Sequence, residues 1–223
     1  MQLANSLQEI MPHADRDHFV YVWRRFDQER VIGSGIQVEH VTGVGNGEFD
    51  VLLSEDGGGV GRTRLRDTGE ALLLLHEDDL TRGLRLTYDP PLPQLTAPLF
   101  AGEQRTSGTA DMTRLTDGQL IGSFPVEQLV KIRAGPAVQS RVGSFPRAVL
   151  VQVVRTLQAP DEIKRLNTES VFVPGIGELS STSEVPDAPL LHRELACAII
   201  GGQRVGSCAN LTQMGEEPRE TRE

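Results

Sequence analysis

The sequence predicts a mainly β protein: one large, strongly curved antiparallel sheet, an unclosed barrel, with short helices and a C-terminal appendage. Three observations carry that expectation. A Gly–Phe–apolar pattern occurs three times, as Gly47-Glu48-Phe49-Asp50-Val51-Leu52, Gly122-Ser123-Phe124-Pro125-Val126 and Gly143-Ser144-Phe145-Pro146-Arg147-Ala148-Val149. Glycine permits a turn and the Phe then enters a run of strand-forming residues, so each copy reads as a turn feeding a strand. Short apolar runs recur at even spacing between Gly- and Asp-rich turns, the pattern of a meander. Glycine (23 residues) and proline (13) supply the many turns such a meander needs.

Taken in order, residues 4–11 suit one or two helical turns stopped by Pro12. In Phe19-Val20-Tyr21-Val22-Trp23 the aromatics alternate with valine, so Phe19, Tyr21 and Trp23 share one face of a strand. Residues 31–44 form a long strand whose Gly33 and Gly35 suggest a bulge or bend. Strands over 49–54, 61–66, 71–76 and 84–88 follow. Asp89-Pro90-Pro91-Leu92-Pro93 then breaks the sheet into an extended crossover, because proline cannot donate to a ladder. A second set of strands covers 105–115, 124–132, 147–157 and 166–173, and a final strand covers 178–184. One domain over 1–185 is expected, with 186–223 as the appendage. Within it, Leu191, Leu195, Ala198 and Ile199 fall at helical spacing and suggest a short helix over 190–200, and residues 216–223 form a charged, frayed tail.

The two cysteines, Cys197 and Cys208, are close in sequence. A disulfide between them fits an oxidising compartment and would close a small loop, worth roughly 3 kcal/mol in the chain-entropy model. The net charge of −9 argues against nucleic acid as a partner. No run of about 18 apolar residues is present, so no transmembrane helix is expected. The start of the chain has no basic region followed by an apolar stretch, the form of an export signal. A processed export product or a cytoplasmic protein fits that start.

Two longer motifs, Arg141-Val142-Gly143-Ser144-Phe145-Pro146-Arg147-Ala148-Val149-Leu150-Val151 and Val171-Phe172-Val173-Pro174-Gly175-Ile176-Gly177-Glu178-Leu179, carry a resemblance. The chain resembles bacterial envelope proteins of the DUF3108 type, related lipoproteins of unknown function in which a Gly-Thr-Phe turn opens a long strand and a later strand ends in an aromatic followed by Pro-Gly. Pro12 followed by Trp23 looks like their opening. The resemblance spans about residues 12–184. It implies a half-barrel like that of the lipoprotein carriers, and a setting in the periplasm or at the outer-membrane surface.

Candidate chemistry is sparse. His13-Ala14-Asp15-Arg16-Asp17-His18 has metal-ligand residue types but no standard spacing, and reads as a polar turn. His76-Glu77-Asp78-Asp79 reads as an acidic hairpin turn. The glycine runs at 43–47 and 57–61 lack the Lys of a phosphate loop and read as hairpin turns. No Gly-x-Ser-x-Gly elbow occurs, and no catalytic residue, cofactor or metal is assigned. The face of Phe19, Tyr21 and Trp23 is the candidate ligand contact. The expected function is a non-enzymatic envelope protein that binds an apolar small molecule, a lipid or a partner protein. The alternatives are a structural subunit binding by exposed strand edges and its C-terminal arm, and an enzyme of unknown type.

Overall fold

The computed structural model describes residues 2–159 and 162–207. Among them are one helical turn and seventeen strands. The N-terminal segment holds β1 (Gln2–Ala4) and α1 (Leu7–Ile10). The meander then runs through β2 (His18–Asp27), β3 (Arg30–Gly45), β4 (Glu48–Glu55), β5 (Gly58–Asp67), β6 (Ala71–Asp79) and β7 (Leu84–Thr96). After the short β8 (Leu99–Phe100) come β9 (Gly102–Arg114) and β10 (Leu120–Gly135). A small ribbon of β11 (Val138–Ser140) and β12 (Gly143–Phe145) precedes β13 (Ala148–Ala159) and β14 (Glu162–Val173). The chain continues as β15 (Gly177–Glu184), β16 (Leu190–Ile200) and β17 (Gln203–Gly206).

The sheet closes. Strands pair antiparallel in the order β2-β3-β4-β5-β6-β7-β9-β10-β13-β14-β15, and β16 bonds to β15 on one side and β2 on the other. The result is a twelve-stranded barrel with β17 hanging on β16, not the unclosed sheet with short helices and an appendage that the sequence suggested. The segment taken for a C-terminal helix is the closing strand. A bulge at Ala196 explains the misreading. Leu195 opposes Tyr21 and Ala198 opposes Phe19, so two residues three apart both face inward. A bulge converts the two-residue period of a strand into an apparent helical spacing.

Two further expectations change. The proline segment does not leave the sheet, because β7 continues to Thr96. Its pairing with β9 ends at Asp89, and beyond that only β6 bonds it, so the prolines fall where one neighbour is missing and their absent N–H groups cost no ladder bond. His76 to Asp79 lies within β6, not in a turn. The Gly–Phe pattern is also less uniform than it reads. Phe49 is buried near the start of β4, whereas Phe124 sits five residues into β10 with its ring over Gly122, and Phe145 ends β12.

One end of the barrel is shut by the chain's own N-terminus. Ser6 caps α1 by accepting from the Glu9 amide at 3.2 Å, and the Glu9 carboxylate accepts from the Asn5 amide at 3.0 Å. β1 pairs with β8, and Gly175 N–H donates to the Glu9 carbonyl at 2.6 Å. Ala4, Leu7 and Ile10 are thereby buried in one cluster with Leu72, Leu74, Leu92, Leu95, Leu99, Val173 and Leu179. Cys197 is fully buried on β16; Cys208, and with it the expected pairing of the two, lies outside the described residues, as does the charged tail.

Candidate functional site

Directly opposed residues on neighbouring strands share a face, so the registers define the lining of the barrel. Phe19, Tyr21 and Trp23 all point inward, opposite Glu39, Gln37 and Gly35 on β3. All three are at least nine-tenths buried. Against Phe19 and Tyr21 lies a cavity of only ≈ 50 Å³, which Met11, Pro12 and His13 of the N-terminal segment help to line. That is far below the roughly 300 Å³ at which small-molecule sites begin. This part of the aromatic face is therefore filled by the protein itself.

Trp23 sits nearer the other end. Its indole lies over Gly35, where an added Cβ would come within 2.8 Å of the ring, and over Gly33. The Arg25 guanidinium stands 4.8 Å from the ring centre, and Arg25 also faces Glu55 at 3.7 Å. The indole Nε1 is buried without a hydrogen-bond partner in the protein.

Two ionic clusters occupy the middle of the lumen. In the first, Arg193 of β16 donates to Gln37 Oε1 at 3.0 Å, to Glu178 Oε1 at 2.8 Å, to Ser181 Oγ at 2.8 Å and to Glu39, with its guanidinium 4.5 Å above the Tyr21 ring. Burial alone would lower the Arg193 pKa, but Glu178 and Glu39 outweigh it and hold it above the ordinary range. Burial, then the same two carboxylates, pushes the Tyr21 hydroxyl well up, so it stays protonated. In the second cluster, Arg155 of β13 donates to Glu77 Oε2 at 2.6 Å, to the Tyr88 hydroxyl at 3.1 Å and to Gln128 Oε1 at 3.1 Å. Tyr88 also donates to Glu77 at 2.5 Å. β6 and β13 are separated around the ring by β7, β9 and β10, so this contact is a strut across the lumen.

Beyond these clusters the lining is mixed: Glu55, Asp79, Arg114 and Lys164 share the inward parity with apolar side chains that are less covered. Leu53, Leu86, Met112, Phe124, Leu166 and Leu191 all face inward by register, and all are half-buried. Their counterparts at the plugged end, such as Leu65, Leu72, Leu74 and Val149, are at most 4% exposed. These partly covered side chains lie toward the end opposite the N-terminal plug, where the lining, here called the cup, has Trp23 and Arg25 on one side and the ionic clusters between it and the plug.

The other sequence candidates disperse. His13 bonds the Met11 carbonyl and Asp67 and stacks on Phe49, and Asp17 accepts from the Ala14 and Gly201 amides. His18 meets His40 on the outer wall, with Nδ1 atoms 3.1 Å apart. The wall of β4 to β7 carries a ladder of ion pairs: Glu48 with Arg66, Asp50 with Arg64, and the fully buried Asp78 carboxylate between Arg62 and Arg85. The inward charges were missed in the sequence. For Gln37 and Glu39 the signal was polar residues alternating with Ile36 and Val38, which in an open sheet denotes a solvated face; Arg155 and Arg193 carry no such local mark.

No protein-family model and no curated protein matches the chain. Two solved structures share its fold. One, from Bacteroides fragilis, is named as an exported protein with a YMCC-like fold; it is 12% identical, with a TM-score of 0.51, over 83% of this chain and 96% of that one. The other, from Parabacteroides distasonis, is named as a lipoprotein; it is 11% identical, with a TM-score of 0.52, over 87% of this chain and 98% of that one. At such identity the likeness is one of fold. The match to DUF3108 suggested by the sequence motifs finds no support in a family model.

Proposed function

We propose that this protein is a non-enzymatic component of the bacterial cell envelope that holds an apolar guest in the open cup of its barrel. The observation that carries the reading is the asymmetry of the lining. Six inward apolar side chains toward one end stay partly exposed, whereas the N-terminal segment covers most of the apolar lining at the other. Covering such surface gains roughly 25 cal/mol per Å². Arg25, Arg155 and Arg193 each already face a carboxylate, so the cup favours an uncharged acyl chain or ring over an anion. The envelope setting is supported by the exported protein and the lipoprotein that share the fold.

The test uses Trp23, the only tryptophan of the chain. Titration with N-phenyl-1-naphthylamine in lipid-free buffer is expected to raise the dye's fluorescence saturably and to quench Trp23 by energy transfer. Phe124→Asp, which puts a charge in the cup wall, is expected to weaken the dye at least tenfold. Dye binding that neither saturates nor responds to Phe124→Asp would remove the guest-binding reading.

A further inference from the structure

Most of the large apolar residues exposed on the described surface lie at one end of the barrel. They are Val31 and Ile32 (49% and 51% exposed) by the β2–β3 hairpin, and Leu120 and Ile121 (55% and 49%) by the β9–β10 hairpin. Ile163 (68%) stands beside the β13–β14 hairpin and Val185 (44%) follows β15. This is the end at which the cup opens. Two of the six are bulge residues. Arg25 opposes Gly33 and Phe26 opposes Val31, which leaves Ile32 as the extra residue; Leu120 opposes Thr113 and Gly122 opposes Met112, which leaves Ile121. A bulge at a barrel rim re-aims a side chain out of the ladder, and here both re-aimed residues are isoleucine.

Resting on the reading of the cup as a guest site, we propose that this rim docks end-on onto the interfacial region of a lipid bilayer, so that an apolar guest passes between membrane and cup without crossing water. Three features select a bilayer over a protein partner. The six side chains stand on four separate hairpins at one end of the barrel, so they meet a plane better than a pocket. Their combined apolar surface is on the order of 300 Å², taking 25 cal/mol per Å² and 1.5–3 kcal/mol for a whole side chain. That is short of the ~800 Å² per partner a stable protein interface buries. The tips at this end carry both signs of charge: Arg30 with Asp27 and Arg114 with Asp117 on two of those hairpins, and Arg82 with Asp79 on the neighbouring β6–β7 hairpin. Attachment therefore rests on apolar insertion and needs no anionic lipid.

Flotation with vesicles of phosphatidylcholine, a neutral-headgroup lipid, tests this. The wild-type chain is expected to float with the vesicles, to the same extent in 0.1 M and 0.5 M salt. Ile32→Asp/Ile121→Asp is expected to reduce the floated fraction at least tenfold, and Leu52→Asp on the outer wall is expected to leave it unchanged. An unaltered Trp23 emission spectrum shows that the double variant is folded; if it is not, Ile163→Asp, at the most exposed position, carries the comparison. Failure of the wild-type to float, flotation indifferent to both rim variants, or a dimer in lipid-free buffer that the rim variants dissolve would each overturn the proposal. Dye binding without flotation would overturn docking alone and leave the cup; rim-dependent flotation without dye binding would overturn the cup alone.

Discussion

Replacing Arg193 by methionine tests whether the ionic cluster holds the barrel shut. Arg193 sits on β16, the strand that joins the two ends of the sheet, and its Cα partner on β2 is Trp23. The side chain is 20% exposed, and those of Glu39 and Glu178 are 16% and 13% exposed. Methionine keeps most of the apolar stem over Tyr21 but removes the cation that faces both carboxylates. Breaking a buried pair by deleting one partner costs about 3–5 kcal/mol, because the remaining charge is left without its counterion. Two carboxylates share that loss here, so the upper half of the range is expected. Urea unfolding followed by Trp23 emission reads it directly at the seam. Adding Glu39→Gln and Glu178→Gln to Arg193→Met removes the stranded charges and is expected to restore most of the lost stability, since replacing a whole buried ion cluster is often near neutral. A loss below about 1 kcal/mol for the single variant, or no recovery in the triple variant, would refute the argument.

Gly35→Ala places a methyl group where the indole lies 2.8 Å away, so Trp23 has to move; a shifted emission maximum and a loss of about 1–3 kcal/mol, the usual cost of overpacking, are expected in urea unfolding. Leu72→Ala empties a fully buried site beneath the N-terminal plug and is expected to cost about 2–5 kcal/mol by the same assay. His18 and His76 are both held below the usual imidazole pKa, chiefly by burial, so the unfolded chain takes up protons that the folded chain refuses. Their contribution is therefore complete above about pH 6.5 and is lost as pH falls below it; unfolding at pH 7.5 and 5.5 is expected to show the decline, and His76→Gln to reduce it. Asp50 and Asp78 also have lowered pKa values, Asp50 through Arg64 and Asp78 through Arg85 and Arg62 against its burial, so their contribution is lost only below about pH 4 and does not confuse the histidine window.

The meander was legible because each strand and turn is written locally. Gly45-Asn46-Gly47 and Asp56-Gly57 adopt the positive φ angles their hairpins need, and the alternation of β2 gives its inward face correctly. Closure was not legible. It depends on Leu190–Ile200 pairing with His18–Asp27, across most of the chain, and the bulge at Ala196 disguises the strand's period. The lumen clusters were hidden for the same reason. Arg193 and Glu39 are 154 residues apart, and nothing local to either marks it as a partner of the other. Once the barrel is closed, the polar residues of β3 that face Phe19 and Tyr21 can only be interior.

Closure also changes which surfaces are available for function. An open sheet offers long strand edges to a partner, but a ring of twelve strands closes them; the free edges left among the described residues are short, on β17, on the β1–β8 and β11–β12 pairs and on β7 beyond Asp89. The outer wall gives little purchase to lipid. A membrane-spanning barrel carries an apolar band around its waist, whereas here Asp50, Arg62, Arg64, Asp78 and Arg85 occupy that position and are already matched to one another. What is left is the two ends. The N-terminal segment seals one of them with Leu7 and Ile10, at most 3% exposed. The other leaves part of its apolar lining and six apolar rim side chains exposed among charged neighbours, so it is the end at which the dye and flotation experiments look for a guest and a bilayer.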